Sequence, residues 1–138
     1  MNSCLILDGK HVAEISDKDL HARVKNLKEN GRPPKLVAII VGDDPASATY
    51  VSMKERACHN LGIKTEIKKL ANDITTSELE QIINELNDDS SVDGILLQHP
   101  VPKHIDELKC FNSIDLEKDV DGVTTEGFGN MRMGLNAF

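Results

Sequence analysis

An unbroken apolar run, KLVAIIVG at residues 35–42, constrains the fold of this chain more than any other feature. A strand with one solvent-exposed face alternates apolar and polar residues, whereas a strand covered on both faces is apolar throughout. A second run, DGILLQHP at residues 93–100, has the same character and is stopped by Pro100. Two such strands in one chain predict a parallel sheet with helices on both faces.

Two further strands and a first helix are predicted from shorter patterns. CLIL at residues 4–7 is a short strand candidate, and KTEIKKL at residues 64–70 alternates as a half-exposed strand does. Residues 12–30 carry apolar side chains at helical spacing and are followed by Gly31 and a proline pair as stop signals. The residues that define this apolar face are Val12, Ile15, Leu20, Val24 and Leu27.

A second helix follows the apolar run at residues 35–42. Either Asp44 caps it, with Pro45 at the first helical position, or Ser47 caps it one turn later. The helix is expected to end near Gly62, since glycine is the usual residue just past a helix end.

A third helix begins with a capping box formed by Thr75 and Glu78, and residues 104–111 predict a short fourth helix. The order strand, helix, strand, helix, strand argues for an α/β fold, a three-layer parallel sheet with flanking helices and right-handed crossovers. At 138 residues the chain is expected to form one domain.

Composition excludes several classes of function. The net charge is −7 and 3% of residues are aromatic, so neither a phosphate-binding surface nor a base-stacking platform is expected, and nucleic acid is not an expected partner. No apolar run approaches the roughly 20 residues of a membrane span, and no signal peptide is apparent, so we expect a cytoplasmic protein with no membrane partner. Cys4, Cys58 and Cys110 have no C-x-x-C spacing, which indicates reduced thiols and no metal site.

The sequence YVSMK at residues 50–54 places a lysine where the second helix should be apolar. A helical wheel puts Lys54 near the middle of an apolar arc. The arc consists of Tyr50, Val51, Met53, Ala57, Cys58 and Leu61. A desolvated ammonium is costly, so Lys54 either snorkels to solvent, as lone lysines often do, or is used chemically. Its helix begins at the carboxyl edge of the sheet, where open α/β folds bind ligands, and this makes Lys54 a functional candidate.

Gln98 is the second candidate, because it directly follows an apolar strand and precedes Pro100. Its side chain is therefore expected at the same carboxyl edge as Lys54. The ordinary alternative is an amide that bonds the loop backbone. Close to Lys54, its carbonyl oxygen would accept a hydrogen bond from the lysine and orient the amine. His99 is expected to point away as a surface or structural residue, since no second ligand is spaced to form a metal site.

The segment KDVDGVTTEGFG at residues 118–129 holds the third candidate. Asp119 and Asp121 lie two apart beside Gly122, so their side chains need not face the same way. A calcium loop is rejected because further acidic ligands are missing at the required intervals. A dinucleotide-binding loop is rejected because GFGNMRMG has Arg132 at the third glycine position and follows no strand.

A receiver domain of the response-regulator class is an alternative from a different class of function. The acidic pair after residues 35–42 and the later buried strand parallel such a domain, but its phosphoacceptor position would be Gln98. An amide supplies neither the carboxylate nucleophile nor the anionic magnesium ligand of phosphotransfer. Receiver-like signalling is therefore the weaker hypothesis.

Three segments resemble the N-terminal catalytic half of the bifunctional methylenetetrahydrofolate dehydrogenase/methenyltetrahydrofolate cyclohydrolase family, of the FolD type. They are RPPKLVAIIVGDDPASATYVSMKERACHNLGI, DGILLQHPVP and EKDVDGVTT, in the order and at the spacing of the family. The resemblance implies a folate site carried by Tyr50, Lys54, Gln98 and Asp121. It implies further substrate contacts at Ser47, Val51, Leu97, His99 and Pro100.

The implied chemistry suits these residue types. One carboxylate can accept both a ring N–H and the adjacent exocyclic amine of a reduced pterin, so Asp121 would fix the orientation of the ring. Tyr50 would offer a flat face and a hydroxyl group. A cationic substrate and a desolvating pocket favour a neutral amine, so Lys54 would act as base and then as acid while the methenyl group is hydrolysed to 10-formyltetrahydrofolate. Gln98 would hold and tune that amine.

The resemblance also implies components that this chain does not supply. Family members oxidise 5,10-methylenetetrahydrofolate with NADP or NAD, bound by a Rossmann-type domain. Residues 1–138 are thus expected to be the catalytic domain, with residues 123–138 leading toward that nucleotide-binding domain. The implied context is one-carbon metabolism and purine biosynthesis. Full-length members are implied to be homodimers, a monomer stays open for the chain as given, and a folate-binding fragment without turnover is the alternative.

Two positions depart from the family pattern as the resemblance gives it. His99 stands where leucine is usual, and Gly127 stands where asparagine is common. His99 would change the polarity of the pocket or add a hydrogen bond to the substrate, and the loop from Val123 to Met131 would make different contacts. These departures are expected to affect substrate affinity rather than substrate class.

Overall fold

The computed structural model describes residues 7–137. Its elements in chain order are α1 (Gly9–Asn30), β1 (Lys35–Val41), α2 (Pro45–Leu61), β2 (Lys64–Leu70), α3 (Thr76–Asp88), β3 (Gly94–Leu97), α4 (Glu107–Asn112), a 3₁₀ turn (Leu116–Lys118) and α5 (Thr125–Met133). The alternation of strands and helices confirms the predicted order. The predicted strand at residues 4–7 lies outside the described residues except for Leu7, which belongs to no strand.

The central strand β1 pairs in parallel with both of its neighbours, in the order β2-β1-β3. Ile39 aligns with Lys68 of β2 on one side and with Leu97 of β3 on the other. A parallel bridge between Ile95 and Asp119 brings the chain after α4 to the other side of β3. The predicted α/β class and parallel arrangement are confirmed.

Alternate residues of β1 face opposite sides of the sheet, and both sides are covered. Val37 and Ile39 belong to a large core formed with α3 and α4. Ala38 and Ile40 belong to a smaller core with Val51 of α2. Coverage on both faces explains why the run at residues 35–42 is apolar throughout, and it confirms the three layers.

Local capping fixes the first turns of α2 and α3. Asp44 Oδ2 accepts a hydrogen bond from the Ser47 backbone N–H at 2.7 Å, so Asp44 rather than Ser47 is the cap. That bond holds the pKa of the Asp44 carboxyl below its usual value. α2 ends at Gly62, whose φ of 83° suits glycine. Thr75 and Glu78 form the predicted capping box, and the Thr75 backbone N–H lowers the pKa of Glu78.

The apolar face predicted for α1 is mostly exposed. Within α1, Val24 alone is buried, and it lies beside Gly62 at the end of α2. Val12, Ile15 and Leu27 face solvent. α1 packs mainly on α2, so its apolar pattern identified a helix without identifying core residues. No helix among residues 7–137 has both the length and the apolarity that crossing a membrane requires.

Two of the three cysteines fall in the described range, and both are free thiols. Cys110 is buried in the large core, and this burial raises the pKa of its thiol to about 11. The thiolate is the reactive form of cysteine, so Cys110 is unreactive near neutral pH. Cys4 lies outside the described residues.

Four charged residues, Arg32, Lys35, Asp93 and Lys118, occupy what we call the amino edge of the sheet, where β1 and β3 begin. The Asp93 carboxylate accepts hydrogen bonds from Arg32 Nη1 at 2.5 Å, from Arg32 Nη2 at 2.9 Å and from Lys35 N at 2.8 Å. The Arg32 guanidinium lowers the pKa of Asp93. Lys118 Nζ donates to three backbone carbonyls at the end of α3, at 2.6 to 2.9 Å. The carbonyls left free by the helix end are thereby satisfied.

Candidate functional site

α2 turns a narrow stripe toward the rest of the molecule. The stripe consists of buried or half-buried residues three and four apart, namely Ser47, Val51, Lys54, Cys58 and Leu61. Lys54 lies at its centre, as the helical wheel predicted. Tyr50 and Met53 are exposed, so the predicted apolar arc was too wide. The small core on this side of the sheet is covered by few side chains, which leaves the flanks of α2 in solvent.

The Lys54 amine lies between an aromatic ring and a carboxylate. Nζ is 4.7 Å from the centre of the Tyr50 ring, one turn earlier in α2, and 3.6 Å from Asp121 Oδ2. The Lys54 side chain is 27% exposed and that of Asp121 is 45% exposed. The amine therefore neither snorkels freely nor enters the core. Both neighbours attract a cation, but solvent screens a pair this exposed, and the carboxylate stays available to other donors.

A tight turn carries Asp121 to Lys54. We call residues 119–124 the aspartyl turn. Asp119 is buried, and its carboxylate accepts hydrogen bonds from the backbone N–H groups of Val123 at 3.1 Å and Thr124 at 2.9 Å. The bridge from Asp119 to β3 fixes the start of the turn, and Gly122 has a φ of 66°. Asp119 thus holds the turn while Asp121 faces outward, and the two side chains do point in different directions.

α5 packs directly beneath the aspartyl turn. Thr124 caps α5 by accepting the Gly127 N–H at 2.9 Å. A Cβ at position 127 would lie 2.8 Å from Thr124 Oγ1 and 3.2 Å from Asp119 Oδ2. Glycine at this position lets the helix approach the buried carboxylate closely. The GFG of the rejected phosphate loop lies inside α5, so it does not form the tight strand-to-helix turn of a dinucleotide site.

Gln98 follows β3 at the carboxyl edge, the edge where the strands end, and its backbone N–H donates to Ile39 O at 2.9 Å. Its side-chain Nε2 donates to the backbone oxygen of His99 at 2.7 Å. The Oε1 atom is buried and has no partner among the described residues. The predicted hydrogen bond from Lys54 to this oxygen is not formed in the structure. The Gln98 side chain therefore donates a hydrogen bond to a loop carbonyl through Nε2. Its acceptor, Oε1, receives no hydrogen bond from the described residues.

The other predicted contact residues occupy different depths. Val51 and Leu97 are buried in the two cores, so they support the site from beneath. Ser47 is buried in the first turn of α2. His99 is 69% exposed, and its Nδ1 lies 2.7 Å from Glu107 Oε1. Pro100 is also exposed.

Together these groups present a half-open surface with three kinds of contact. The exposed face of Tyr50 can stack on a flat ring. Asp121 can accept two neighbouring N–H donors, and the Lys54 amine stands between ring and carboxylate. The free Gln98 oxygen is a further acceptor. A planar nitrogen heterocycle with adjacent N–H groups matches this set.

Sequence reasoning missed the residues that support the site. Asp119 shares a motif with Asp121, but its role in fixing the aspartyl turn includes a bridge to Ile95 of β3, a segment distant in the chain. Glu107 was placed in a short helix and given no role. α5 was not predicted, although Thr124 followed by Glu126 is a usable signal for a helix start.

Comparison with known proteins identifies the family of this chain. A family model described as tetrahydrofolate dehydrogenase/cyclohydrolase, catalytic domain, matches residues 7–121. A curated relative from Cellvibrio japonicus, named bifunctional protein FolD, is 54% identical over 137 residues, covering 99% of this chain and 49% of the relative. A second, from Acidobacterium capsulatum, is 51% identical with the same coverage. The chain therefore spans about half the length of the curated relatives it matches.

Solved structures share the fold closely. The bifunctional FolD dehydrogenase/cyclohydrolase of Campylobacter jejuni has a TM-score of 0.94 and 41% identity, covering 98% of this chain and 48% of that one. The Trypanosoma brucei enzyme, described as complexed with NADP cofactor and inhibitor, has a TM-score of 0.89 and 31% identity, covering 99% of this chain and 47% of that one. The sequence match over most of the chain, on the same fold, establishes that this chain belongs to the tetrahydrofolate dehydrogenase/cyclohydrolase catalytic-domain family.

Proposed function

We propose that this chain is the folate-binding and catalytic half of a methylenetetrahydrofolate dehydrogenase/methenyltetrahydrofolate cyclohydrolase, with reduced folates as its substrates. The observation that carries the proposal is the position of the Lys54 amine, 3.6 Å from Asp121 and 4.7 Å from the Tyr50 ring centre. Residues from α2 and from the distant aspartyl turn meet there at the carboxyl edge, where open α/β sheets bind ligands.

The binding step uses the carboxylate and the aromatic ring. Asp121 accepts the ring N–H and the exocyclic amine of the pterin, which are adjacent donors suited to one carboxylate. Tyr50 stacks its exposed face on the folate rings. The Gln98 oxygen is buried and has no hydrogen-bond partner among residues 7–137, and it gains a donor when the site fills.

Hydrolysis of the methenyl group uses the lysine as base and then as acid. In the free protein Asp121 faces the amine at 3.6 Å. When the pterin engages Asp121, the carboxylate becomes shared, and the cationic methenyl carbon approaches the amine. The Lys54 amine takes a proton from the attacking water as the water oxygen bonds to the methenyl carbon, which gives a hydroxyl adduct. The amine then returns that proton to the ring nitrogen as the bond between this nitrogen and the carbon breaks. The hydroxyl proton is released to solvent, which leaves the formyl group of 10-formyltetrahydrofolate.

In the oxidation step this chain would hold 5,10-methylenetetrahydrofolate. The GFG segment at residues 127–129 is helical and follows no strand, so it does not form a nucleotide-binding loop. We therefore assign NADP, or NAD, to a Rossmann-type domain beyond this catalytic domain, with residues 123–138 leading toward it. We place the enzyme in the cytoplasm, as a homodimer, supplying one-carbon units for purine biosynthesis.

The test is replacement of Lys54 by methionine, which keeps the length of the side chain and removes the amine. Hydrolysis of 5,10-methenyltetrahydrofolate is followed by absorbance, with the buffer-catalysed rate subtracted. Lys54→Met should reduce the rate by at least about 100-fold, the usual contribution of a general acid–base. Arg56→Met, which removes an exposed cation from the same helix, is the matched control and should keep the wild-type rate. A Lys54→Met protein with near-normal turnover contradicts the proposal.

A folate-binding domain without turnover is the second candidate, favoured by the openness of the site. Asp121 is 45% exposed, so water reaches the catalytic groups unless another segment covers them. Reduced-folate binding by the wild-type chain, together with a hydrolysis rate no higher than that of Lys54→Met, would establish this second function instead.

A further inference from the structure

The loop after β3 is tied to α4 by one carboxylate oxygen. Glu107 Oε1 lies 2.7 Å from His99 Nδ1 and accepts the Val101 backbone N–H at 3.3 Å. Glu107 is the first residue of α4. The preceding residue, Asp106, caps α4 and donates its own backbone N–H to Thr76 Oγ1 of α3 at 3.0 Å. The oxygen that holds the loop is therefore carried by an anchored helix end.

The same loop fixes the direction of the Gln98 amide. Gln98 Nε2 donates to the backbone oxygen of His99 at 2.7 Å, and this bond determines where the other end of the amide points. That end, Oε1, is buried and has no partner in the part of the chain that the structure describes. A buried acceptor without a donor is unfavourable, so the surrounding structure must hold it in place.

We propose that His99 and Glu107 form a clasp that positions Gln98 for a donor at the folate site. His99 and Glu107 act here as positioning residues, because their contacts reach Gln98 through the His99 carbonyl. The clasp gives a role to the histidine that departs from the usual leucine of the family. This inference rests on the proposed function for its ligand, a reduced folate, whereas the positioning of Gln98 can be tested without any ligand.

The ligand-free test uses nuclear magnetic resonance on the nitrogen-15-labelled chain. Glu107→Ala should shift the side-chain amide signals of Gln98 and raise the Val101 amide exchange rate by at least about fivefold, as expected for an amide that has lost its hydrogen bond. Glu107→Gln keeps an acceptor oxygen and should restore most of both effects. His99→Leu should shift the Gln98 signals and leave Val101 bonded. The control is Lys109→Ala, on the same helix as Glu107, which breaks the 2.7 Å ion pair between Lys109 and Glu80 of α3. It should change neither the Gln98 signals nor the Val101 exchange rate.

The ligand test uses 5-formyltetrahydrofolate, a stable reduced folate, titrated into the same variants. Glu107→Ala and His99→Leu should weaken binding by roughly three- to tenfold, Glu107→Gln by less, and Lys109→Ala not at all. The proposal is overturned if the Gln98 signals do not respond to Glu107→Ala, or if they respond while folate affinity stays unchanged. If the wild-type chain binds no reduced folate, the proposed function fails, and the Gln98 and Val101 signals alone then decide whether the clasp exists.

Discussion

At the amino edge of the sheet the Asp93 carboxylate accepts three hydrogen bonds of 2.5 to 2.9 Å, from Arg32 and Lys35. At the carboxyl edge the Asp121 carboxylate lies 3.6 Å from Lys54, half exposed. Both edges pair an aspartate with a basic side chain beside the ends of β1 and β3. The first pair is saturated with donors, whereas the second keeps acceptors free.

The difference indicates that polar groups at the amino edge of the sheet serve stability, whereas those at the carboxyl edge serve ligand binding. Saturated polar groups contribute to the free energy of unfolding, because breaking them leaves partners unsatisfied. Groups with unused acceptors do not add to stability but can bind a ligand, and the clearest example is the buried Gln98 oxygen, which has no donor among the described residues. Substitutions at the amino edge should therefore lower stability, and substitutions at the carboxyl edge should lower ligand affinity.

The largest expected effect on ligand affinity is at the carboxyl edge. Asp121→Asn keeps the shape of the side chain and removes the charge that would accept two pterin donors. We expect affinity for 5-formyltetrahydrofolate to fall about 10- to 100-fold, measured by titration calorimetry. The free energy of unfolding should change by less than about 0.5 kcal/mol in urea denaturation. If Asp121→Asn lowered the free energy of unfolding and left folate affinity unchanged, the carboxyl edge would serve stability and not binding, which contradicts the comparison.

At the amino edge Lys118→Met should be the most destabilising change. It removes three hydrogen bonds from a charged donor to the last carbonyls of α3. We expect a loss of about 2–3 kcal/mol in the free energy of unfolding, measured in urea. Lys109→Met, which removes an ion pair at the exposed Lys109 ammonium, is the control and should have a much smaller effect. If Lys118→Met and Lys109→Met lowered the free energy of unfolding equally, the bonds from Lys118 to the α3 carbonyls would make no additional contribution to stability.

Asp93→Asn should lower stability by about 1–2 kcal/mol at neutral pH, after allowance for the screening of a half-exposed group. Arg32 lowers the pKa of Asp93 below its ordinary 3.8 in the folded state. The folded state thus binds protons more weakly, so this contribution is fully present above the ordinary pKa. It is lost as the pH falls through the folded-state pKa. Urea denaturation at pH 7 and near pH 2.5 should show the difference between wild type and Asp93→Asn shrinking in acid; a constant difference would contradict the assignment.

The smallest expected effect is a difference in stability between alanine substitutions at two glycines of α5. Gly127→Ala should cost about 1 kcal/mol, because its Cβ would lie 2.8 Å from the capping hydroxyl of Thr124. A Cβ added at Gly129 would meet no neighbouring atom within 4 Å, so Gly129→Ala should stabilise α5 by about 0.5–1 kcal/mol. Thermal unfolding of both variants measures the contrast. Gly127→Ala should also weaken folate binding if the support beneath Asp121 matters, whereas Gly129→Ala should not.

Much of the fold was predictable because its signals are local. The apolar runs of β1 and β3, the Asp44 cap and the Thr75–Glu78 capping box each depend on residues within a few positions of one another. The inward position of Lys54 followed from helical periodicity in the same way. The width of the buried face of α2 and the exposure of the apolar face of α1 depended on which neighbours cover each helix, and no local pattern specifies that.

The sequence by itself determined the α/β alternation, the helix caps, the inward position of Lys54 on α2, and the presence of Gln98 just after a strand and of Asp121 in a turn. These features follow from hydrophobic period and short-range hydrogen bonding, which act within one segment. Only the tertiary structure decided that Asp121 lies beside Lys54, that Gln98 bonds the His99 carbonyl instead of the lysine, and that Glu107 holds their loop. The contact between Asp121 and Lys54 joins segments that meet only after the strands pair and the helices pack. Whether Lys54 or the neighbouring His99 carbonyl reaches the Gln98 amide depends on the same packing, because the lysine lies on a different element.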